Sequence, residues 1–99
     1  MNQLQDRRRV ARHSNPIPAV LDGASRAEIL DLSASGARVM LRADEFYPQF
    51  ELRFQFRGCL VHVVCEAGWC QSTGDHLVCG VRFHQASPGL ERSLRKTAA

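Results

Sequence analysis

The sequence predicts a small, mainly β domain of six or seven short antiparallel strands, arranged as a barrel or a sandwich, with a short helix at the end. Two patterns support this fold class. Apolar and polar residues alternate in several short runs, and turn-forming residues separate these runs at intervals of roughly ten residues. From the length of 99 residues we expect one hydrophobic core and no multidomain enzyme.

The first half of the chain combines an arm with three short strands. Residues 1–15 have no hydrophobic period, so we expect them to form a flexible, extended arm. Pro18 favours the start or the edge of a strand, and Asp22-Gly23 is typical of a tight turn. Strands are expected over residues 17–21, 27–32 and 37–42, followed by a loop over 44–49.

The second half shows the clearest alternation and ends in a helix. Each predicted strand places one apolar row inward, and a further short strand over residues 67–71 carries Trp69. Ser87-Pro88 is a typical helix start, and Leu90 and Leu94 share one face of a helix over residues 88–97. The inward rows are Leu52, Phe54 and Phe56; Cys59, Val61, Val63 and Cys65; and Leu77, Cys79, Val81 and Phe83.

The four cysteines and four histidines do not form a recognisable metal or catalytic motif. No Cys-x-x-Cys occurs, and three of the cysteines lie within apolar alternation, which favours buried free thiols. We therefore expect no metal, no cofactor and no catalytic residues. No apolar run is long enough to span a bilayer and no secretory signal precedes the domain, which favours a cytoplasmic protein.

The positive charge is concentrated at the N-terminus. The formal net charge is +3, and residues 1–12 carry this whole excess, with four arginines against Asp6. The basic set is twelve arginines and one lysine, and arginine suits bidentate contact with phosphate or guanine. An arginine-rich arm on a neutral body predicts a local anionic partner, although a solvated terminus would have the same composition.

Two short motifs carry the chemistry. The arm contains Arg8-Arg9-Val10-Ala11-Arg12, an Arg-x-x-x-Arg spacing, and a strand ends in Asp31-Leu32-Ser33-Ala34-Ser35-Gly36, an Asp-x-Ser-x-x-Gly. In this order, the motifs resemble those of the PilZ domain, a bacterial receptor for cyclic di-GMP. Ala67-Gly68-Trp69 and Cys79-Gly80-Val81-Arg82-Phe83 are similar to late strands of that family. The resemblance implies a six-stranded antiparallel barrel with a C-terminal helix.

The resemblance also implies a nucleotide site and no enzymatic activity. The ligand-binding residues carried over are Arg7, Arg8, Arg12, Asp31, Ser33 and Gly36, and Arg9 and Trp69 are further candidates. Asp31 suits the two donors on one edge of guanine, and Ser33 can donate to phosphate. An arginine at the position of Arg7 implies an intercalated dimer of the ligand. Trp69 has two interpretations, as the border of the site or as a core anchor.

The expected organisation is an arm over residues 1–15, a PilZ-like barrel over 16–86 and a C-terminal helix and tail over 87–99. We expect the arm to order over the barrel when cyclic di-GMP binds, and an unidentified effector protein to read that change. The family implies outputs in motility, biofilm, polysaccharide or virulence pathways. Two alternatives remain, a degenerate PilZ-like interaction domain that binds no nucleotide and a small nucleic-acid-binding barrel. The strands lack the basic and aromatic alternation expected for nucleic acid.

Overall fold

A computed structural model of the chain describes residues 13–85 and 88–98. The candidate residues Arg7, Arg8, Arg9 and Arg12 lie outside the described residues. Six strands, a short 3-10 turn and one helix make up the fold. They are β1 (Ile17–Leu21), β2 (Ser25–Leu32), β3 (Gly36–Arg42), a 3-10 turn (Ala43–Glu45), β4 (Gln49–Phe56), β5 (Cys59–Thr73), β6 (His76–Phe83) and α1 (Pro88–Ala98).

The six strands form a closed antiparallel barrel, so the predicted six-stranded barrel with a C-terminal helix is confirmed. Around the barrel the strands follow the order β1, β2, β3, β6, β5, β4, and β4 pairs with β1 to close the ring. The sequence predicted separate strands over 59–65 and 67–71, whereas β5 runs unbroken for 15 residues. It pairs with β4 over its first half and with β6 over its second half.

The barrel interior is filled by the inward rows that the alternation predicted. In β4, every second residue is buried from Phe50 to Phe56, because successive strand side chains point to opposite faces. Leu90 and Leu94 of α1 are buried in the same core cluster, as their spacing predicted. The prediction was wrong for Cys59, which is exposed at the start of β5.

Two tight turns set the register of the hairpins. Asp22 and Gly23 have φ angles of 51° and 78°, and Arg57 and Gly58 have φ angles of 54° and 80°. Positive φ at both central residues matches the right-handed twist of the flanking strands. The backbone N–H of Asp22 also donates to the carbonyl of Glu51 at 2.9 Å, which ties the first turn to β4.

The four thiols are free, but only Cys65 and Cys79 are buried. Burial raises the pKa of the Cys65 thiol to about 12. The described residues contain no group of three His, Cys, Asp or Glu side chains that could hold a metal ion. Among the same residues, no helix is long and apolar enough to cross a membrane.

Candidate functional site

A row of four residues crosses the outer face of four neighbouring strands. Asp31 of β2 lies directly opposite Arg38 of β3, Arg38 lies opposite Gly80 of β6, and Gly80 lies opposite Trp69 of β5. Directly opposite residues in an antiparallel pair present their side chains on the same face. The register therefore brings a carboxylate, a guanidinium and an indole to one side of the barrel.

Two β-bulges turn the ends of this row outward. In β2 the inward residues Ile29 and Leu32 are three positions apart, because the register shifts between Ile29 and Asp31. In β5 the register shifts between Ala67 and Trp69. A bulge adds one residue to a strand and reverses the alternation beyond it. Asp31 and Trp69 consequently face outward, where a regular strand would direct both into the core.

The row forms the floor of an open cavity of about 360 Å³. The turn between β2 and β3 and the end of β6 complete its wall. The chemistry of the lining is mixed, with one carboxylate, two guanidinium groups, one hydroxyl and one aromatic ring. The residues that supply these groups and the turn are Asp31, Ser33, Gly36, Arg38, Trp69 and Arg82.

Trp69 lies over the backbone of Gly80. A Cβ added at Gly80 would lie 2.8 Å from Cζ2 of the indole and closer still to Nε1 and Cε2. The side chain of any other residue at position 80 would therefore displace the ring. Trp69 nevertheless keeps 51% of its surface exposed, which leaves one face of the indole available to a ligand. The core-anchor interpretation of Trp69 is therefore not supported.

The turn between β2 and β3 is held against β6. The backbone N–H of Ser33 donates to the carbonyl of Gly36 at 2.9 Å, and the Ser33 hydroxyl donates to the same carbonyl at 3.2 Å. The N–H of Phe83 donates to the carbonyl of Ser35 at 2.8 Å. Gly36 itself packs so closely on the Val81 carbonyl that a Cβ would collide with that oxygen.

The two arginines of the cavity differ in their electrostatic surroundings. Nη2 of Arg82 lies 2.5 Å from Oε1 of Glu66, and this hydrogen bond lowers the pKa of the Glu66 carboxyl below its usual value. Arg38 has no ion-pair partner within residues 13–85 and 88–98. Arg38 is thus the cavity guanidinium that is available to an anion without breaking an existing pair.

The described chain begins beside this cavity. His13 forms a backbone bridge to Leu32, with N–H···O distances of 2.9 and 2.8 Å in the two directions. Its ring packs edge-on against Phe56, with centroids 5.0 Å apart. Leu32 lies between Asp31 and Ser33 in the sequence. The bridge to Leu32 therefore fixes His13, the residue that follows Arg12, next to both.

The structure brings together Asp31, Ser33, Gly36 and Trp69 from the predicted set. The set predicted from the sequence did not include Arg38, Arg82 or Gly80. The register explains the omission of Gly80, because its significance comes from the indole that lies opposite. The pairing of Gly80 with Trp69 could be predicted from the sequence only if the bulge at Gly68 were known, because the bulge sets which residue lies opposite Trp69.

An open cavity with a mixed lining on the wall of a filled barrel has the form of a ligand-binding site. The sequence model of the PilZ domain matches residues 5–98. The chain belongs to the PilZ family, a family of cyclic di-GMP receptors whose domains act as ligand-binding and adaptor modules.

The fold is also similar to the solved structure of the Bacillus subtilis inhibitor of motility, MotI/DgrA. The TM-score is 0.71 at 13% sequence identity, and the match covers 93% of this chain and 49% of that one. This chain therefore spans about half the length of that protein, and the similarity at this identity concerns the fold. No significant match to the chain was found among curated proteins.

Proposed function

We propose that this chain binds cyclic di-GMP in the cavity described above and regulates a partner protein in response. The observation that carries the proposal is the convergence of Asp31, Ser33, Gly36 and Trp69 on one open cavity in a member of a cyclic di-GMP receptor family. In this proposal the chain is a cytoplasmic adaptor without catalytic activity. Its output pathway is one of motility, biofilm, polysaccharide or virulence.

Each cavity residue has a role that suits this ligand. The Asp31 carboxylate accepts from the N1–H and N2 amino groups of guanine. The Trp69 indole stacks on a base, an interaction worth about 1–3 kcal/mol. The Ser33 hydroxyl donates to a phosphate oxygen, for which it must leave the Gly36 carbonyl. That rearrangement costs a neutral hydrogen bond of about 0.5–1.5 kcal/mol and gains a stronger one to a charged acceptor.

The arm supplies the remaining groups. Arg8 and Arg12 form bidentate contacts to the phosphates or to guanine, and Arg9 is a further candidate. Arg7 supports a second nucleotide, which gives an intercalated dimer in the site. The anchoring of His13 beside Leu32 supports this role, because it sets the point from which the arm extends. The proposed division is an arm over 1–15, the barrel over 16–86 and the helix and tail over 87–99.

Calorimetric titration of the purified chain with cyclic di-GMP tests the proposal. We expect saturable binding that weakens at least about tenfold in Arg8→Ala and in Asp31→Ala, because hydrogen bonds to charged groups contribute about 1.5–3 kcal/mol. Arg92→Ala and Asp75→Ala are matched controls, since both side chains are exposed and neither lines the cavity. A stoichiometry near two would support the role of Arg7.

Two results would overturn the proposal. If folded wild-type protein gives no binding, the chain is a PilZ-like interaction domain that does not bind nucleotide. If a single-stranded polynucleotide binds more tightly than cyclic di-GMP, with a steep dependence on salt, the barrel is a nucleic-acid-binding module. Circular dichroism of each variant separates loss of binding from loss of fold.

A further inference from the structure

A second row of outward residues crosses the barrel wall away from the nucleotide cavity. Arg26 of β2 and Arg53 of β4 each lie directly opposite Val20 of β1, and His62 of β5 lies opposite Arg53. The two central strands of this row are β1 and β4, whereas the two central strands of the nucleotide cavity are β6 and β3. In the ring of six strands, β1 is three positions from β6 and β4 is three positions from β3, so the centres of the two rows lie on opposite sides of the barrel.

This row borders an open groove with an apolar floor and cationic sides. We call the set Pro18, Val20, Arg26, Arg53, Gln55 and Leu60 the docking face; it lines a cavity of about 780 Å³. Val20 is 38% exposed and Leu60 is 68% exposed, so two aliphatic side chains present apolar surface to a partner at this groove. No acidic residue of the described chain lines the groove.

The two arginines are available to a partner. Neither Arg26 nor Arg53 has an ion pair within residues 13–85 and 88–98. The acid next to Arg53 on the same face of β4, Glu51, is engaged by His62 at 3.3 Å. A guanidinium of Arg53 lies over the β1–β2 turn, with Nη2 at 3.5 Å from where a Cβ on Gly23 would be. Two guanidinium groups thus flank the exposed Val20.

We propose that the docking face binds a segment of another protein in which carboxylates alternate with aliphatic side chains. The carboxylates would pair with Arg26 and Arg53, for which arginine is suited geometrically. The aliphatic side chains would cover Val20 and Leu60 and remove their apolar surface from water. The docking face would be the surface through which the adaptor binds its partner protein, so this inference rests on the proposed function.

Charge disfavours a second copy and the N-terminal residues of the chain as occupants, and the lack of an exposed ring disfavours nucleic acid. A second copy docked symmetrically would bring the same two arginines against each other. The chain's own N-terminal residues 1–12 carry four arginines and one acid, so they are repelled by this face as well. Nucleic acid is disfavoured because the aromatic residue that lines the groove, Phe54, is buried and offers no ring for stacking.

The location allows two ligands to bind at once. Trp69 and Gly80 are on the cavity side of the barrel, while Val20 and Arg53 are on the docking side. A protein bound to the docking face leaves the nucleotide cavity open. This arrangement fits an adaptor that holds its partner while the nucleotide enters and leaves.

The test is an NMR titration of the isotopically labelled full chain with a capped synthetic peptide of alternating Asp and Leu. We expect saturable shifts of the amides in the docking face. The dissociation constant should rise at least about tenfold in the Arg26→Ala/Arg53→Ala double variant and several-fold in Leu60→Ser. It should be unchanged in Arg92→Ala, an exposed arginine of α1. A capped Asp-Ser peptide, which lacks the aliphatic groups, should bind several-fold more weakly.

Four results would overturn the inference. They are shifts spread outside the docking face, equal binding of the Asp-Ser peptide, tighter binding of a single-stranded oligonucleotide at this face, and dimerisation through it on sedimentation. Calorimetry of the double variant with cyclic di-GMP keeps the two proposals separate. Retained nucleotide binding with lost peptide binding is the expected pattern. Peptide binding without nucleotide binding in the wild type would refute only the proposed nucleotide site.

Discussion

Replacing Gly80 with alanine should drive the indole of Trp69 off the cavity wall. The added methyl would lie 2.8 Å from Cζ2 and nearer to two other ring atoms, whereas carbon atoms rest at about 3.5–4.0 Å from each other. The ring is half exposed, so it can swing into solvent without disturbing the backbone. The variant should therefore fold with the barrel intact and the cavity wall altered.

The destabilisation caused by Gly80→Ala can be worked out from the apolar surface that Trp69 would lose to solvent. A tryptophan side chain buries about 150–250 Å² when fully covered, and Trp69 has roughly half of its surface left to lose. At about 25 cal/mol per Å², the loss of about 100 Å² destabilises the protein by at most about 2.5 kcal/mol. We expect a decrease of about 1–2.5 kcal/mol in Gly80→Ala, together with weaker binding of cyclic di-GMP.

The chain contains one tryptophan, so intrinsic fluorescence reports on Trp69 alone. Gly80→Ala should shift the emission to longer wavelength, and urea unfolding should give the decrease in stability. Gly68→Ala is the matched control, because its Cβ would lie 3.5 Å from the Gly80 carbonyl, an ordinary contact. In a Trp69→Ala background, Gly80→Ala should have almost no effect on stability. An unchanged emission maximum and an unchanged unfolding midpoint in Gly80→Ala would refute the reasoning.

The remaining predictions concern backbone packing and thiol accessibility. Gly36→Ala should destabilise the protein more than Gly80→Ala does, because the added methyl meets the Val81 carbonyl of the barrel backbone rather than a movable side chain; urea unfolding of both variants checks this order. Iodoacetamide at pH 8 should alkylate the exposed Cys59 well before Cys65, whose pKa burial raises to about 12. Mass spectrometry after digestion measures both rates, and equal rates would contradict the burial of Cys65.

The sequence was sufficient for the fold where alternation was regular. In β4 each apolar residue is separated from the next apolar residue by one polar residue. The two-residue period therefore predicts that the segment is a strand, which face each side chain occupies and which side chains are buried. The helix could likewise be predicted from the Ser-Pro start and the spacing of Leu90 and Leu94. Both patterns involve residues that are close together in the sequence, so both could be recognised from the sequence alone.

The candidate site was harder to predict from the sequence, because it depends on irregular pairing between strands. Two-residue alternation would place Trp69 on the same face as Cys65, whereas the extra residue at Gly68 reverses it. The same irregularity led the sequence analysis to divide β5 into two strands. Gly80 acquires its role only through the residue opposite, and pairing across strands depends on register. The motif residues Asp31, Ser33 and Gly36 were found by family resemblance rather than by periodicity.

The two bulges also bear on how such a site is gained or lost in evolution. Deleting the single codon for Gly68 would remove the extra residue of the bulge in β5, so Trp69 would follow Ala67 directly and stay opposite Gly80 on the outer face. Cys70 would likewise stay opposite Cys79. The bulge therefore absorbs one residue of strand length without changing the faces of the residues on either side of it. A strand can gain or lose a residue at such a position while the cavity keeps its aromatic wall.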